Sequence, residues 1–175
     1  MVIWGWMWYY LDENDMKGVV SVADLSFSGN FAHSIDPKGR VTIPMAFREA
    51  LGGGFTIGLN NQSTALALYP KAMWAEKCAQ LRRIPDTDVR GMKYRRGVMG
   101  NSFPDMELDS QGRVLLPQTL RAQIGISKAI RFVGMDSYLE IWDEDRYLAE
   151  YDLTQSSFED LMNYVDERYF RSGDA

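Results

Sequence analysis

The segment Ile35-Asp36-Pro37-Lys38-Gly39-Arg40-Val41-Thr42-Ile43-Pro44 recurs 73 residues later as Leu108-Asp109-Ser110-Gln111-Gly112-Arg113-Val114-Leu115-Leu116-Pro117, and this recurrence is the main indication of the fold. At this offset residues 35–52 align with residues 108–125, and seven of the eighteen positions are identical. The identical pairs are Asp36/Asp109, Gly39/Gly112, Arg40/Arg113, Val41/Val114, Pro44/Pro117, Arg48/Arg121 and Gly52/Gly125. Composition alone gives about one identity, so the chain contains an internal duplication that covers most of residues 27–150.

Each copy predicts a strand, a tight turn, a second strand, a short helix and a further hairpin. In the first copy Asp36 suits the first position of a type I turn, and Gly39 supplies the fourth. The β-prone run that follows stops at Pro44, which fits the first turn of a helix because its missing N–H has no partner there. Phe47 and Leu51 stand four apart and give that helix an apolar face. The second copy repeats this pattern with Pro117, Leu120, Ile124 and the closing Gly125.

A unit of about 45 residues cannot enclose a core alone, so the two copies are expected to pack as a pseudo-twofold pair. This symmetry would present Arg40 and Arg113, each directly after a turn glycine, as two equivalent guanidinium groups. Guanidinium forks bond to guanine O6 and N7 or to phosphate, and a two-stranded ribbon fits the major groove of DNA. The alternative is that each arginine only pairs with Asp36 or Asp109 across its own turn. Because such a surface pair is worth little, its repetition favours DNA binding.

Four further residues of the repeat are candidates for the same surface. Lys38 and Gln111 directly precede the turn glycines and are predicted to contact DNA beside the arginines. Arg48 and Arg121 follow the core position of each helix. A structural pairing with a nearby carboxylate and a contact to DNA phosphate fit these two arginines equally well.

The segment between the copies and the segment after them carry opposite charges. Residues 90–96 contain four bases and no acid, so Lys93, Arg95 and Arg96 are candidate phosphate contacts. A solvated helix face or a subunit contact is the favoured interpretation of that segment. The C-terminal segment is acidic and amphipathic, and it can dock either on its own chain or on a neighbour. Its apolar stripe consists of Phe158, Leu161, Met162, Val165 and Tyr169.

The composition excludes several classes of protein. With 175 residues, 46% of them hydrophobic, the chain can bury a real core in one medium domain or two small ones. The formal net charge is -5, yet residues 26–143 carry a net +4, so a basic face is compatible with the acidic total. One cysteine, Cys78, and one histidine, His33, leave no ligand set for structural zinc, and we expect no metal and no other cofactor. A hydrolase using His33 with Asp36 is disfavoured because no Gly-x-Ser-x-Gly motif accompanies them.

The doubled motif, with Ser28-Gly29-Asn30 before its first copy, resembles the MraZ family of bacterial transcriptional regulators. The resemblance implies a mainly β fold with short helices, in which two AbrB-like swapped-hairpin repeats form one pseudo-twofold β-barrel. It also implies that chains assemble into a homo-oligomeric ring. Such a ring would bind short direct repeats of double-stranded DNA in the promoter of the cell-division and cell-wall gene cluster. The family's Asp-x-x-x-Arg motifs map onto Asp36/Arg40 and Asp109/Arg113.

The implied organisation has five parts. They are an N-terminal extension of unknown role at 1–26, a first repeat at 27–75, a linker with the basic patch at 76–99, a second repeat at 100–150 and an acidic C-terminal helix or tail at 151–175. The extension does not resemble the family. Gly100 stands nine residues before Asp109, whereas Gly29 stands seven before Asp36, so the first strand of the second copy is predicted to be bulged or shortened.

The rival interpretation is an AbrB-like antitoxin that binds DNA and holds a toxin through residues 152–175. We expect a protein that is not an enzyme and has neither a small-molecule substrate nor a membrane partner. We also expect a cytoplasmic location in association with the nucleoid.

Overall fold

The structure, a computed structural model, describes residues 26–151 and 155–171, so the predicted extension lies outside it except for its last residue. The first copy forms β1 (Asn30–Ser34), β2 (Arg40–Thr42), α1 (Met45–Leu51), β3 (Phe55–Leu59), β4 (Leu66–Pro70) and α2 (Lys71–Arg82), and α3 (Val89–Gly100) follows. The second copy forms β5 (Phe103–Met106), β6 (Arg113–Leu115), α4 (Gln118–Ile124), β7 (Ala129–Gly134), β8 (Leu139–Asp143) and α5 (Glu144–Glu150). Then come α6 (Gln155–Val165) and a π-helical segment (Asp166–Phe170). Both copies thus have the predicted order of elements.

Strand pairing interleaves the two copies. β1 pairs antiparallel with β7, and β3 pairs antiparallel with β5, so the first strand of each copy lies beside the third strand of the other. β4 pairs with β8 between them, which gives a six-stranded sheet in the order β1-β7-β8-β4-β3-β5. β2 and β6 form a separate two-stranded antiparallel ribbon. The pairing is therefore pseudo-twofold symmetric, as the duplicated sequence predicts.

The described strands do not close into the β-barrel that was expected. β1 and β5 form the two edges of the six-stranded sheet, since each pairs with one neighbour only among the described strands, and the turn after each of them leads into the ribbon. β5 is also irregular, since its register with β3 shifts between Phe55 and Ile57 and Asp105 has a φ of 54°. The first strand of the second copy is thus irregular and one residue shorter than β1, in agreement with the prediction of a bulged or shortened strand.

The core lies between the sheet, the ribbon and the two short helices. Phe47 and Leu51 of α1 and their counterparts in α4 are buried, as the four-residue spacing predicts. Both helices begin one residue later than expected, because Pro44 and Pro117 have extended ψ values of 140° and 123° and stand just before the first helical residue. The sheet contributes Ile57, Leu66, Leu68, Ile130, Phe132, Leu139 and Ile141 to this core. Among residues 26–151 and 155–171, no helix has both the length and the apolar character needed to span a bilayer.

Candidate nucleic-acid interface

An aspartate at the start of each turn holds the arginine at its end. Asp36 Oδ1 accepts hydrogen bonds from the backbone N–H groups of Lys38 and Arg40 at 2.8 and 2.9 Å. Its Oδ2 lies 2.8 Å from both Nε and Nη2 of Arg40. Asp109 repeats this geometry, with Oδ2 2.8 Å from Nε and 2.7 Å from Nη2 of Arg113. The pairing across the turn that the sequence left as an alternative is therefore present in both copies, and it does not use Nη1.

These hydrogen bonds stabilise the charged form of both carboxylates. Donation by the side chain and backbone of Arg113 lowers the pKa of Asp109 to about 2. The pKa of Asp36 is also lowered, chiefly by the hydrogen bond from the backbone N–H of Arg40. Because a charged carboxylate binds each guanidinium near neutral pH, both arginines are held in a fixed orientation.

The register of the ribbon places Arg40 and Arg113 on one face. Arg40 lies opposite Leu115, and Thr42 lies opposite Arg113. Because side chains alternate along a strand, these four residues share the outer face, while Val41 and its partner face the core. The two arginines are diagonal neighbours, with Cα atoms about 7–8 Å apart. Thr42 and Leu115 complete this face and were missed at the sequence level, although the period-two alternation of the strands marks them.

Arg48 and Arg121 have a structural partner, but it is a backbone carbonyl and not a carboxylate. Arg48 Nε donates to the carbonyl of Ile43 at 2.8 Å, and Arg121 Nε donates to that of Leu116 at 3.2 Å. Both carbonyls lie at the ends of the ribbon strands. Each arginine therefore ties its own helix to the strand before it.

The same two arginines lie against the turn glycines of the opposite copy. A Cβ atom added at Gly112 would lie 2.2 Å from Cζ of Arg48, and one added at Gly39 would lie 2.7 Å from Nη2 of Arg121. These glycines also have positive φ values of 72° and 83°. Glycine is therefore required twice, for the backbone conformation and for the close approach of the arginine.

The remaining candidate residues are spread over two regions. Lys38 and Gln111 are exposed at the tips of the turns, beside the ribbon. On α3, Lys93 and Arg96 are exposed, and Arg95 Nη1 lies 3.4 Å from Asp86. The structure thus brings the turn residues together but places the basic patch on a different element.

The described residues do not assemble the alternative catalytic or metal chemistry. The His33 ring packs edge-on against Phe132, with ring centroids 5.7 Å apart, whereas Asp36 binds Arg40. Within the two described ranges, no group of three His, Cys, Asp or Glu residues is placed to hold a metal ion.

The fold and the two Asp–Arg turns define a class of tandem-repeat protein in which a shared ribbon presents a matched pair of arginines. The MraZ family model, described as "MraZ protein, putative antitoxin-like", matches residues 26–91 and 104–167. The chain belongs to the MraZ family, as the doubled motif predicts.

Proteins named "Transcriptional regulator MraZ" match most of the chain. The one from Desulforamulus reducens is 38% identical over 146 residues, which cover 80% of this chain and 98% of that protein. The one from Thermomicrobium roseum is 42% identical over 132 residues, which cover 73% of this chain and 88% of that protein. The one from Acetivibrio thermocellus is 38% identical over 123 residues, which cover 69% of this chain and 83% of that protein. These relatives are named as regulators and not as enzymes.

Proposed function

We propose that this protein is a transcriptional regulator that binds double-stranded promoter DNA through the outer face of the β2–β6 ribbon. Arg40 and Arg113 would contact base edges or phosphates. The observation that carries the proposal is the placement of these two arginines as diagonal neighbours on one outer face, by the register of the ribbon. The names of the relatives agree with a regulatory role.

The Asp–Arg pairs support DNA binding through pre-organisation. A guanidinium that is already held in one orientation loses less conformational freedom when it contacts DNA than a free arginine does. Each pair occupies Nε and Nη2, so the Nη1 donors remain for an incoming acceptor. Lys38 and Gln111, exposed at the adjacent tips, would extend the same contact surface.

The other basic residues take a secondary place in the proposal. Arg48 and Arg121 lie directly beside the turns and would add phosphate contacts at the edges of the ribbon. Lys93, Arg95 and Arg96 lie on α3 and would contact phosphate only where the DNA extends past the ribbon.

In a ring of chains, several arginine pairs would bind the same DNA, and the resulting avidity would give a specificity that one weak pair lacks. Direct repeats spaced near one helical turn, about 10 bp, would let neighbouring subunits bind adjacent boxes at high effective concentration. The exposed apolar side chains of the C-terminal segment support a contact with another copy of the chain. They include Phe158, Leu161, Met162 and Tyr169. The target, the promoter of the division and cell-wall cluster, and the cytoplasmic, nucleoid-associated location follow from the family resemblance.

A second candidate function is that of an antitoxin, in which the exposed apolar side chains of α6 bind a toxin. The description of the family as antitoxin-like favours this candidate. Purification from the native host separates the two, because a stable one-to-one protein partner is expected only of an antitoxin.

A mobility-shift assay on the protein's own upstream region, with a salt titration, tests the DNA proposal. A lost base contact at Arg40→Ala or Arg113→Ala would weaken binding about 5- to 150-fold. A lost phosphate contact would instead reduce the salt slope by about one. Arg82→Ala, which removes an exposed base at the end of α2, is the matched control and is expected to bind nearly as wild type. If both ribbon variants bind like wild type at every salt concentration, the site assignment is wrong.

A further inference from the structure

A cleft of about 510 Å³ lies between α3, α2 and the loop that joins β3 to β4. Its volume falls within the range of about 300–1,000 Å³ that is usual for small-molecule sites. Three of the residues that line it are cations, namely Lys77, Arg90 and Lys93, and among its described lining residues none is an aspartate or glutamate. No residue of the β2–β6 ribbon lines it either, so the cleft is separate from the ribbon surface that carries the proposed base contacts.

Lys77 is a half-buried cation whose contacts in the structure are neutral. Its Nζ donates to Oδ1 of Asn61 at 3.0 Å and lies 5.1 Å from the centroid of the Tyr69 ring. Among the described residues, no carboxylate lies within ion-pair distance of it. Burial lowers the pKa of Lys77, because a desolvated ammonium is costly without a counter-charge. An anion in the cleft would supply that counter-charge.

The α3 wall of the cleft combines charge with an aromatic surface. Arg90, Lys93 and Tyr94 stand at i, i+3 and i+4, so they share one face of the helix. The Tyr94 side chain is 50% exposed, which leaves its ring open to stacking. Val98, one turn further on, continues the lining with an apolar side chain. The cleft therefore suits a ligand that carries both negative charge and a flat ring.

We propose that this cleft binds a small phosphorylated ligand of the nucleotide class. Lys77, Arg90 and Lys93 contact its phosphate groups, and Tyr94 packs against its ring. The inference goes beyond the proposed function and is independent of it, because it uses none of the ribbon residues. Lys93 is also a candidate DNA contact, so the test has to distinguish a free nucleotide from a DNA backbone.

Fluorescence anisotropy of N-methylanthraniloyl-ADP with the full chain tests the proposal. Competitors are ADP, inorganic phosphate and a short duplex of unrelated sequence. Wild type is expected to bind the probe saturably, and ADP is expected to displace it better than phosphate or duplex. Lys93→Ala and Lys77→Met, which keeps the aliphatic stem, are each expected to weaken binding about tenfold or more.

Two control variants make the assignment specific. Arg96→Ala removes an exposed base of α3 that does not line the cleft, and Arg40→Ala removes a ribbon arginine. Both are expected to bind the probe like wild type. Absence of saturable binding overturns the proposal, as does an equal loss in Arg96→Ala or Arg40→Ala. Displacement by duplex or by phosphate as strong as that by ADP overturns the nucleotide assignment. If Lys77→Met does not fold, Lys93→Ala decides the result. Failure of the nucleotide proposal leaves the DNA-binding proposal intact, because the mobility-shift assay tests the latter separately with the ribbon variants.

Discussion

Replacing Gly112 with alanine tests whether close packing of Arg48 from the first copy against the turn of the second copy stabilises the fold. The φ of 72° at Gly112 strains any residue with a side chain. The new Cβ would lie 2.2 Å from Cζ and 2.4 Å from Nη1 of Arg48, so the guanidinium has to move. Movement of this group breaks its 2.8 Å hydrogen bond to the carbonyl of Ile43.

The two effects can be given separate magnitudes. A positive φ at an alanine costs about 1–2 kcal/mol. The hydrogen bond from a charged donor adds about 1.5 kcal/mol, the lower end of its range, because Arg48 is only partly buried and water can replace its partner. The free energy of unfolding of Gly112→Ala should therefore fall by about 2.5–3.5 kcal/mol.

Gly125→Ala is the matched control for the conformational part. Gly125 has a φ of 70°, and a Cβ atom there would meet no heavy atom within 4 Å. This variant should lose only about 1–2 kcal/mol. Urea unfolding followed by circular dichroism measures both variants. In an Arg48→Ala background the cost of Gly112→Ala should fall to that of Gly125→Ala. Equal losses of unfolding free energy for the two glycine variants in the wild-type background would refute a stabilising contact between Arg48 and the turn at Gly112.

Three further outcomes are expected. Burial raises the pKa of Glu140, whose carboxylate accepts hydrogen bonds from Trp142 and Asn60. The stability it contributes is present below about pH 4.5 and is lost as pH rises through the raised pKa. Because Glu140→Gln stays neutral, its urea unfolding midpoint should rise relative to that of wild type between pH 4.5 and pH 8. A difference between the two midpoints that does not change with pH would contradict this. Asp109 shows the opposite sign, because its folded pKa of about 2 lies below the ordinary value of 3.8. The advantage of wild type over Asp109→Asn should be full above pH 4 and shrink as pH falls toward 2, and a pH-independent difference would argue against the ion pair. Leu161→Lys, in the exposed apolar face of α6, should lower the assembly mass measured by light scattering, and an unchanged mass would exclude this face from the subunit contact.

The fold could be predicted where its determinants are local. The Asp-x-x-Gly-Arg spacing specifies a turn within five residues, and the structure shows the turn in both copies. The first strand of the second copy was predicted to be irregular from glycine spacing alone, and its register shifts as expected. The barrel was expected from resemblance, and the described strands form an open sheet instead. Sheet closure depends on which edges meet across the two copies, which no local pattern specifies.

Some features of the candidate site could likewise be predicted from the sequence, and others depended on the tertiary structure. The identity of Arg40 and Arg113 as a matched pair was evident from the repeat, and their use as DNA contacts stays a prediction. The roles of Arg48 and Arg121 depended on tertiary structure, because each guanidinium lies against a glycine of the other copy, more than sixty residues away in sequence.

Sequence alone therefore established the duplication, the two turns and the helix faces that enter the core, because each depends on spacing within a few residues. Only the folded chain decided that the copies exchange their first strands, that both arginines share one outer face and that a basic cleft forms beside α3. These features arise from pairing between segments distant in sequence, where the free energy of the whole core selects the register.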